Sequence, residues 1–272
     1  MKQTRRKPKP RRNPSSPRLS TAETGKMRAA GRLTAQLLDQ VAQIIAPGVS
    51  TGEIDQLVDK LTSDAGAISA PFGYNGFPAH CCTSINEVVC HGIPTPERRL
   101  EQGDIINVDV TPILAGWHGD ASRTFFVGEV SPEARGLVQT TYEAMWRGIR
   151  AMKPGANIND VGRAIQPFVE SRGYSVVREF TGHGLGRKFH TSPTVFHHTT
   201  LGAGVLLEAG MAFTIEPMIN AGRWKTRVLD DGWTALTIDG QLSAQFEHTV
   251  VITPDGVEVL TLGKTETPPA PA

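Results

Sequence analysis

Apolar positions recur along this chain first with a helical period and then with a period of two. Met27, Ala30, Leu33, Leu37, Leu38, Val41, Ile44 and Ile45 follow one another at the spacing of one helix face. Ser20 and Glu23 stand ahead of them as a capping-box pair, and Pro47-Gly48 closes the run. Ser50 and Glu53 open a second helix that carries Ile54, Leu57, Val58 and Leu61. Strand-like segments and loops continue to about residue 128. In one of them Ile106, Val108 and Val110 point one way, and Asn107, Asp109 and Thr111 the other. A second acid, Asp120, follows eleven positions after Asp109, beyond a Gly-containing loop. A solvated outer face is the plain reading of a carboxylate within such a strand, and the rest of the chain argues against it.

The pattern then restarts. A helix over about 132–152 ends at Pro154-Gly155, and Asn157 and Asp160 stand where Ser50 and Glu53 stood. They open a helix with Val161, Ile165 and Val169 on its buried face. PGVSTGEI (47–54) and PGANINDV (154–161) are offset by 107 residues. The same offset lays LEQGDIINVDVTPI (100–113) over LEAGMAFTIEPMIN (207–220), and so places Asp109 on Glu216. After a longer connection, 221–242, the strand SAQFEHTVVIT brings Glu247, the counterpart of Asp120 once about twenty residues are inserted. An acid repeated at the same place in the same strand is not a solvated face. Two helix-helix-strand halves predict an α+β fold with pseudo-two-fold symmetry. Their antiparallel strands merge into one curved sheet, with helices over the outer face and a polar inner face where four acids meet.

Composition sets the frame. A chain of 272 residues with 39% hydrophobic and 20% charged residues suits a soluble protein with a substantial core. No apolar run is long enough to span a membrane, and the charged N-terminus has no apolar core of a secretory signal. Cys81, Cys82 and Cys90 form an odd, clustered set, which argues against a disulfide framework and for the cytoplasm. The net charge of +1 is uneven, because residues 1–20 hold eight Lys or Arg and no acid. Residues 1–18 are expected to form a disordered, basic, Pro-rich arm, and 265–272 a disordered tail. A single folded domain is expected between, over 19–264, with halves of about 19–128 and 129–264. The arm has two readings, a solubilising leader or a contact for polyanionic RNA; KPKPRRNP as a polyproline ligand for an adaptor rests on composition alone. A monomer is expected.

Four ionised carboxylates in one place repel one another and lose solvation unless cations compensate them. Oxygen ligands with one imidazole suit Mn, Fe, Co or Zn, and bridging carboxylates suit a pair of ions. TGHGLGRKFH (181–190) supplies the imidazole: Gly182, Gly184 and Gly186 let the backbone approach closely around His183.

SINEVVCHGIP (84–94), DIINVDVT (104–111), HGDASRTFFVG (118–128), GHGLGRKFH (182–190), FTIEPMI (213–219) and SAQFEHTVV (243–251) resemble, in order and spacing, the motif series of the type I methionine aminopeptidases. The resemblance runs from about residue 21 to 262. It implies the pita-bread fold and two divalent ions (Co, Mn, Fe, Zn or Ni) held by Asp109, Asp120, His183, Glu216 and Glu247. It implies hydrolysis of the initiator methionine from nascent chains whose second residue is small, with a metal-activated water as nucleophile. On that rule this chain, with Lys2 second, keeps its own Met1. Glu216 is then the proton shuttle, His91 the contact to the departing amide, and His190 the hydrogen-bond donor to the scissile carbonyl. The methionine pocket falls on Tyr74, Phe77, Cys82, Phe189 and Trp233, beside His91 and His190. Phe77 departs from the family's usual tyrosine, which removes one hydroxyl. Cys81 and Cys90 are read as buried. His118 points away from the ligands by alternation, and His80, His197, His198 and His248 are surface or packing residues.

Three alternatives stand beside this. An X-Pro aminopeptidase shares the fold but usually bears an extra N-terminal domain. A type II methionine aminopeptidase would carry a long insertion, for which the spacing 182–216 leaves no room. A non-catalytic, ribosome-associated homologue would be expected to have lost metal ligands.

Overall fold

A computed structural model describes residues 17–270 of the chain. The basic arm expected over 1–18 therefore falls, except for Pro17 and Arg18, outside the described residues. The first half runs α1 (Thr21–Val41), α2 (Thr51–Asp64), β1 (Ile68–Ser69), a single 3-10 turn (Tyr74–Gly76), β2 (Cys82–Ile85), β3 (Val88–Cys90), β4 (Ile105–Val110), β5 (Pro112–Leu114), β6 (Trp117–His118) and β7 (Ala121–Phe126). The second runs α3 (Pro132–Arg150), α4 (Asp160–Glu170), β8 (Ser175–Val176), β9 (Gly182–Gly184), β10 (Thr191–Val195), β11 (Ala212–Ile215), β12 (Met218–Asn220), β13 (Thr226–Val228), β14 (Ala235–Thr237), β15 (Ser243–Gln245), β16 (His248–Ile252) and β17 (Val257–Val259).

Both capping boxes form. The Ser20 hydroxyl accepts from the Glu23 N–H at 3.3 Å, and the Glu23 carboxylate accepts from the Ser20 N–H at 2.9 Å. Ser50 and Glu53 do the same at 3.1 and 2.8 Å. Ile44 and Ile45, counted with the first helix, lie beyond its end and pack singly against the first-half core. The fourth helix starts at Asp160, later than its counterpart. Asp160 does accept from the Asn157 N–H, at 3.0 Å, but Asn157 spends its side chain on the Asn159 N–H and the Ala203 carbonyl, so only half of the box closes.

The repeat is visible in the backbone. Gly48 and Leu100 pair through Gly48 N–H to Leu100 O at 2.8 Å, and Gly155 and Leu207 do so at 2.9 Å. Bridges Ser50–Arg99 and Asn157–Leu206 flank them. Each half has its own core. Leu37, Leu38, Ile54, Val58 and Ile106 fill the first, and Leu137, Met145, Ile165, Phe213 and Ile215 the second. A smaller cluster of Met27, Trp117, Leu185, Ala212 and Val251 joins α1 to second-half strands.

The strands are antiparallel and follow the repeat, as the pattern suggested, with breaks that divide the sheet. Among the described residues they pair as five antiparallel ladders, with β2-β4-β7 central to the first half and β10-β9-β11-β16-β17 to the second. The ladder breaks beside the acids. Pro112 and Pro217 have no N–H to donate, so β4 gives way to β5 and β11 to β12 at those points. The stretch 243–252 is likewise two strands, with Phe246 and Glu247 between them.

Two side chains and one backbone bond stitch the halves where strand pairing stops. The Asn107 amide donates to Gln245 O at 2.8 Å, the Thr249 hydroxyl donates to Asp120 O at 2.7 Å, and Glu247 N–H donates to Ser122 O at 3.0 Å. The inner face is therefore polar but dry: Asn107, Ser122 and Thr124 are all buried. On the outside, α1 presses so closely on the loop before β7 that a Cβ on Gly119 would lie 2.5 Å from the Thr34 hydroxyl. Only glycine lets Asp120 sit there.

The tail expected to be disordered from 265 is held over residues 265–270. Glu266 is paired with His248 and Arg123, and the Tyr142 hydroxyl donates to Thr267 O.

Candidate metal centre

Asp109, Asp120, His183, Glu216 and Glu247 line one cavity of about 570 Å³, together with Tyr74, Phe77, Cys82, His91, Phe189, His190 and Trp233. All of the residues singled out from the sequence thus meet there. Asp109 lies within β4, opposite Cys82 on one side and Ser122 on the other. Asp120 and Glu247 each come immediately before a strand, β7 and β16, and Glu216 follows β11. Ligand atoms of Asp120, His183 and Glu247 all lie within 4.8 Å of one another. His183 Nε2 stands 3.5 Å from Asp120 Oδ2 and 3.6 Å from Glu216 Oε1.

The imidazole is set for ligation. His183 Nδ1 lies 3.2 Å from the Gly184 carbonyl, which only an N–H can satisfy, so the lone pair falls on Nε2 and faces the acids. Burial, then the neighbouring His190, pull its pKa down to about 3, so it stays neutral. Glycine on either side of it is a steric requirement: a Cβ on Gly184 would run into the Ser192 carbonyl of β10, and one on Gly182 would lie 2.5 Å from Thr214 O.

The four acids are in electrostatic debt. Burial, and then the charge of Asp120, raise Asp109 well above the carboxylate range; burial raises Asp120 to about 7. Burial raises Glu216 and Glu247 as well, and for Glu247 the other three acids add to it. Two hydroxyls oppose this, Thr111 donating to Asp120 Oδ1 at 2.6 Å and Thr214 to Glu216 Oε1 at 2.5 Å. Among the described residues no Lys or Arg lines the cavity. Three buried carboxylates, the half-buried Asp109 and an imidazole lone pair fit divalent cations.

The walls above are apolar. Phe77 meets Trp233 edge-on at 5.1 Å, and Tyr74 meets Phe189 at 5.0 Å. Trp233 arrives from the long connection 221–242, whose β14 pairs with β3 of the other half. The Cys82 thiol is pushed well up by burial and then by Asp109, so it is a protonated wall group. Cys81 and Cys90 are buried and free. His91 holds a left-handed φ of 56° and lies edge-on to Phe180 at 5.4 Å. His190 stands at the rim, its ring 4.1 Å from that of His183; desolvation, then His91, lower it to about 4 although one side of the ring faces solvent.

His118 is buried and outside the cavity lining, as alternation suggested, where Nδ1 bonds Gly186 O and the ring stacks on Phe189 at 5.6 Å. His80 pairs with Asp59 at 3.2 Å. His197 has a closer part than packing alone: its Nε2 accepts the Glu216 N–H at 2.9 Å. That bond, the hydroxyls of Thr111 and Thr214, and the lining residues Met218 and Phe180 are what sequence reasoning missed. Thr111, Thr214 and Met218 each stand two residues from an acid, which is a usable signal; nothing local marks His197.

Residues 25–254 match metallopeptidase family M24. Methionine aminopeptidase A of Synechocystis sp. is 58% identical over 246 residues, covering 90% of this chain and 97% of that protein. Methionine aminopeptidase of Escherichia coli K12 is 50% identical over 246 residues, covering 90% and 93%. Among solved structures, methionine aminopeptidase from Rickettsia prowazekii superposes with a TM-score of 0.89 at 48% identity, over 91% of this chain and all of that one. The prolidase from Pyrococcus furiosus shares the fold, with a TM-score of 0.75 at 22% identity, but this chain covers only 66% of it.

Proposed function

This chain belongs to metallopeptidase family M24, with its pita-bread fold, and from that premise we propose that it is a metal-dependent methionine aminopeptidase that removes the initiator methionine from nascent proteins with a small second residue. The observation that carries the reading is three buried carboxylates, the half-buried Asp109 and the His183 lone pair at the floor of a cavity with aromatic walls, where no Lys or Arg stands among the described lining residues.

Asp109, Asp120, His183, Glu216 and Glu247 would hold two divalent ions, from among Co, Mn, Fe, Zn and Ni. Such ions, once bound, supply an activated water and polarise the carbonyl under attack. The remaining steps belong to side chains. The methionine side chain enters between Tyr74, Phe77, Cys82, Phe189 and Trp233, walls that suit a polarisable thioether. His190 donates a hydrogen bond to the scissile carbonyl and steadies the oxygen as charge grows on it. Glu216, oriented by the Thr214 hydroxyl, takes the proton of the attacking water and delivers it to the leaving amine. His91 contacts that amide as it departs.

Three free, buried thiols support a reducing compartment, the cytoplasm. Among the described residues no helix is long and apolar enough to cross a membrane. The basic arm is read as a contact for ribosomal RNA.

The test is an assay of the chelated protein on Met-Ala-Ser and Ala-Pro peptides, with each divalent metal added back separately. We expect cleavage of the methionyl peptide only, restored by one or more of the metals. Turnover indifferent to metal, or preference for the Ala-Pro peptide, overturns the reading.

A further inference from the structure

Behind the acids, on the face away from the cavity, the last described segment crosses the seam between the two halves. The Glu266 side chain is 9% exposed, and its two oxygens serve different halves. Oε1 lies 2.9 Å from Nε2 of His248, on β16; Oε2 lies 3.3 Å from Nη2 of Arg123, on β7, and accepts the Gly263 N–H at 3.3 Å. Arg123 also reaches Asp39 of α1 at 3.1 Å, and the second Asp39 oxygen accepts the Lys264 N–H at 3.2 Å. His248 Nδ1 lies 2.9 Å from the Thr261 hydroxyl, which accepts the Thr249 N–H at 3.1 Å. The Tyr142 hydroxyl of α3 donates to Thr267 O at 3.0 Å.

We propose that Glu266 is a positioning residue that closes the metal centre from behind, clasping β7 to β16 so that Asp120 and Glu247 keep a common spacing. The inference rests on the reading that these acids hold cations. Its geometry is that of alternation. His248 directly follows Glu247 and takes the opposite side of the chain, and Arg123 stands on β7 three residues beyond Asp120. The two grips of Glu266 therefore sit at the roots of two ligands from different halves.

Strand pairing does not do this work: β14 pairs with β3 across the halves, but β7 and β16 belong to different ladders. Nor is the contact a surface ion pair of small consequence. Arg123 is 16% exposed and His248 4%, and removing the shared acid leaves His248 without a carboxylate and Arg123 with Asp39 alone.

The experiment compares the full chain with Glu266→Gln and with a chain ended at Gly263, all stripped with chelator and titrated with Co²⁺. Visible absorption reports the ligand field, and urea melts of the metal-free proteins report the fold. In Glu266→Gln volume is kept but the charge is lost: the amide oxygen can still accept from Arg123, while the NH₂ faces His248 Nε2, which must turn from donor to acceptor. We expect Co²⁺ affinity to fall about tenfold in both variants, the lower end of what outer ligand supports contribute, with an altered absorption band in Glu266→Gln. If the shortened chain does not fold, Glu266→Gln decides. A wild-type chain that takes up no Co²⁺ fails at the earlier reading and carries the clasp down with it. A wild type that binds while Glu266→Gln binds equally tightly, with the same band and only a lower melt, overturns the clasp alone.

Discussion

Glu216 ends its strand beside a proline, and its N–H has left the ladder to find an acceptor in the ring of His197. Burial holds that ring at about 3, so Nε2 stays a lone pair and the bond persists across the working pH range. His197→Ala leaves a buried N–H unsatisfied, at a cost of about 1–3 kcal/mol, and lets the proton-carrying carboxylate drift. The expected outcome is a lower kcat with little change in KM, because the methionine walls are untouched; His197→Gln, whose amide oxygen reaches the same N–H, recovers most of it. Steady-state kinetics of both variants on a methionyl peptide check this, and equal kcat in His197→Ala and wild type removes the assignment. Residues of this kind bound what a sequence reveals. Asp109 and Glu216 are legible because the repeat aligns them, and Asp120 and Glu247 because they correspond once about twenty residues are inserted. His197 acts on Glu216 from 19 residues away, and no local pattern encodes such a pair.

Elements were legible where the signal is local. Ser20-Glu23 and Ser50-Glu53 set their helix starts to the residue, whereas Asn157-Asp160 misplaces one because Asn157 has a competing partner in a distant loop. Proline breaks beside the acids divide the expected sheet into short ladders. The tail is the largest departure: TETPPAPA reads as disordered by composition, yet one carboxylate anchors it across the seam. That carboxylate carries a consequence for acid stability. Facing Arg123, His248, Asp39 and Tyr142, Glu266 is pulled from 4.5 to about 2, with burial opposing, and the hydrogen bond to His248 and the charges of His248 and Arg123 prevailing. A depressed acid stabilises the fold fully above its ordinary value and loses that contribution as pH falls toward about 2, here on the order of 3 kcal/mol. The difference in urea stability between metal-free wild type and Glu266→Gln should therefore shrink from pH 5 to pH 2. A difference that stays level over that window contradicts the attribution.

At the scale of the molecule, two similar halves each give two carboxylates, and the second half adds the imidazole and, through Trp233, part of a wall that faces the first. Opposing this acid interior is the basic N-terminal segment, which joins the body where Arg18 pairs with Glu208 at 2.7 Å and Leu19 N–H donates to Gly210 O at 2.8 Å. Seven of its eight cations precede residue 17. Counterion release from so many phosphate contacts is steeply salt-dependent, so the full chain should co-sediment with ribosomes at low salt more than a chain beginning at Pro17. Equal sedimentation of the two would dismiss the RNA contact. The spread of ligands along the chain also sets a schedule. Asp109 and Asp120 leave the ribosome well before His183, Glu216 and Glu247. A copy made only through its first half carries two of the five ligand candidates, so it cannot close the metal centre until Glu247 has emerged.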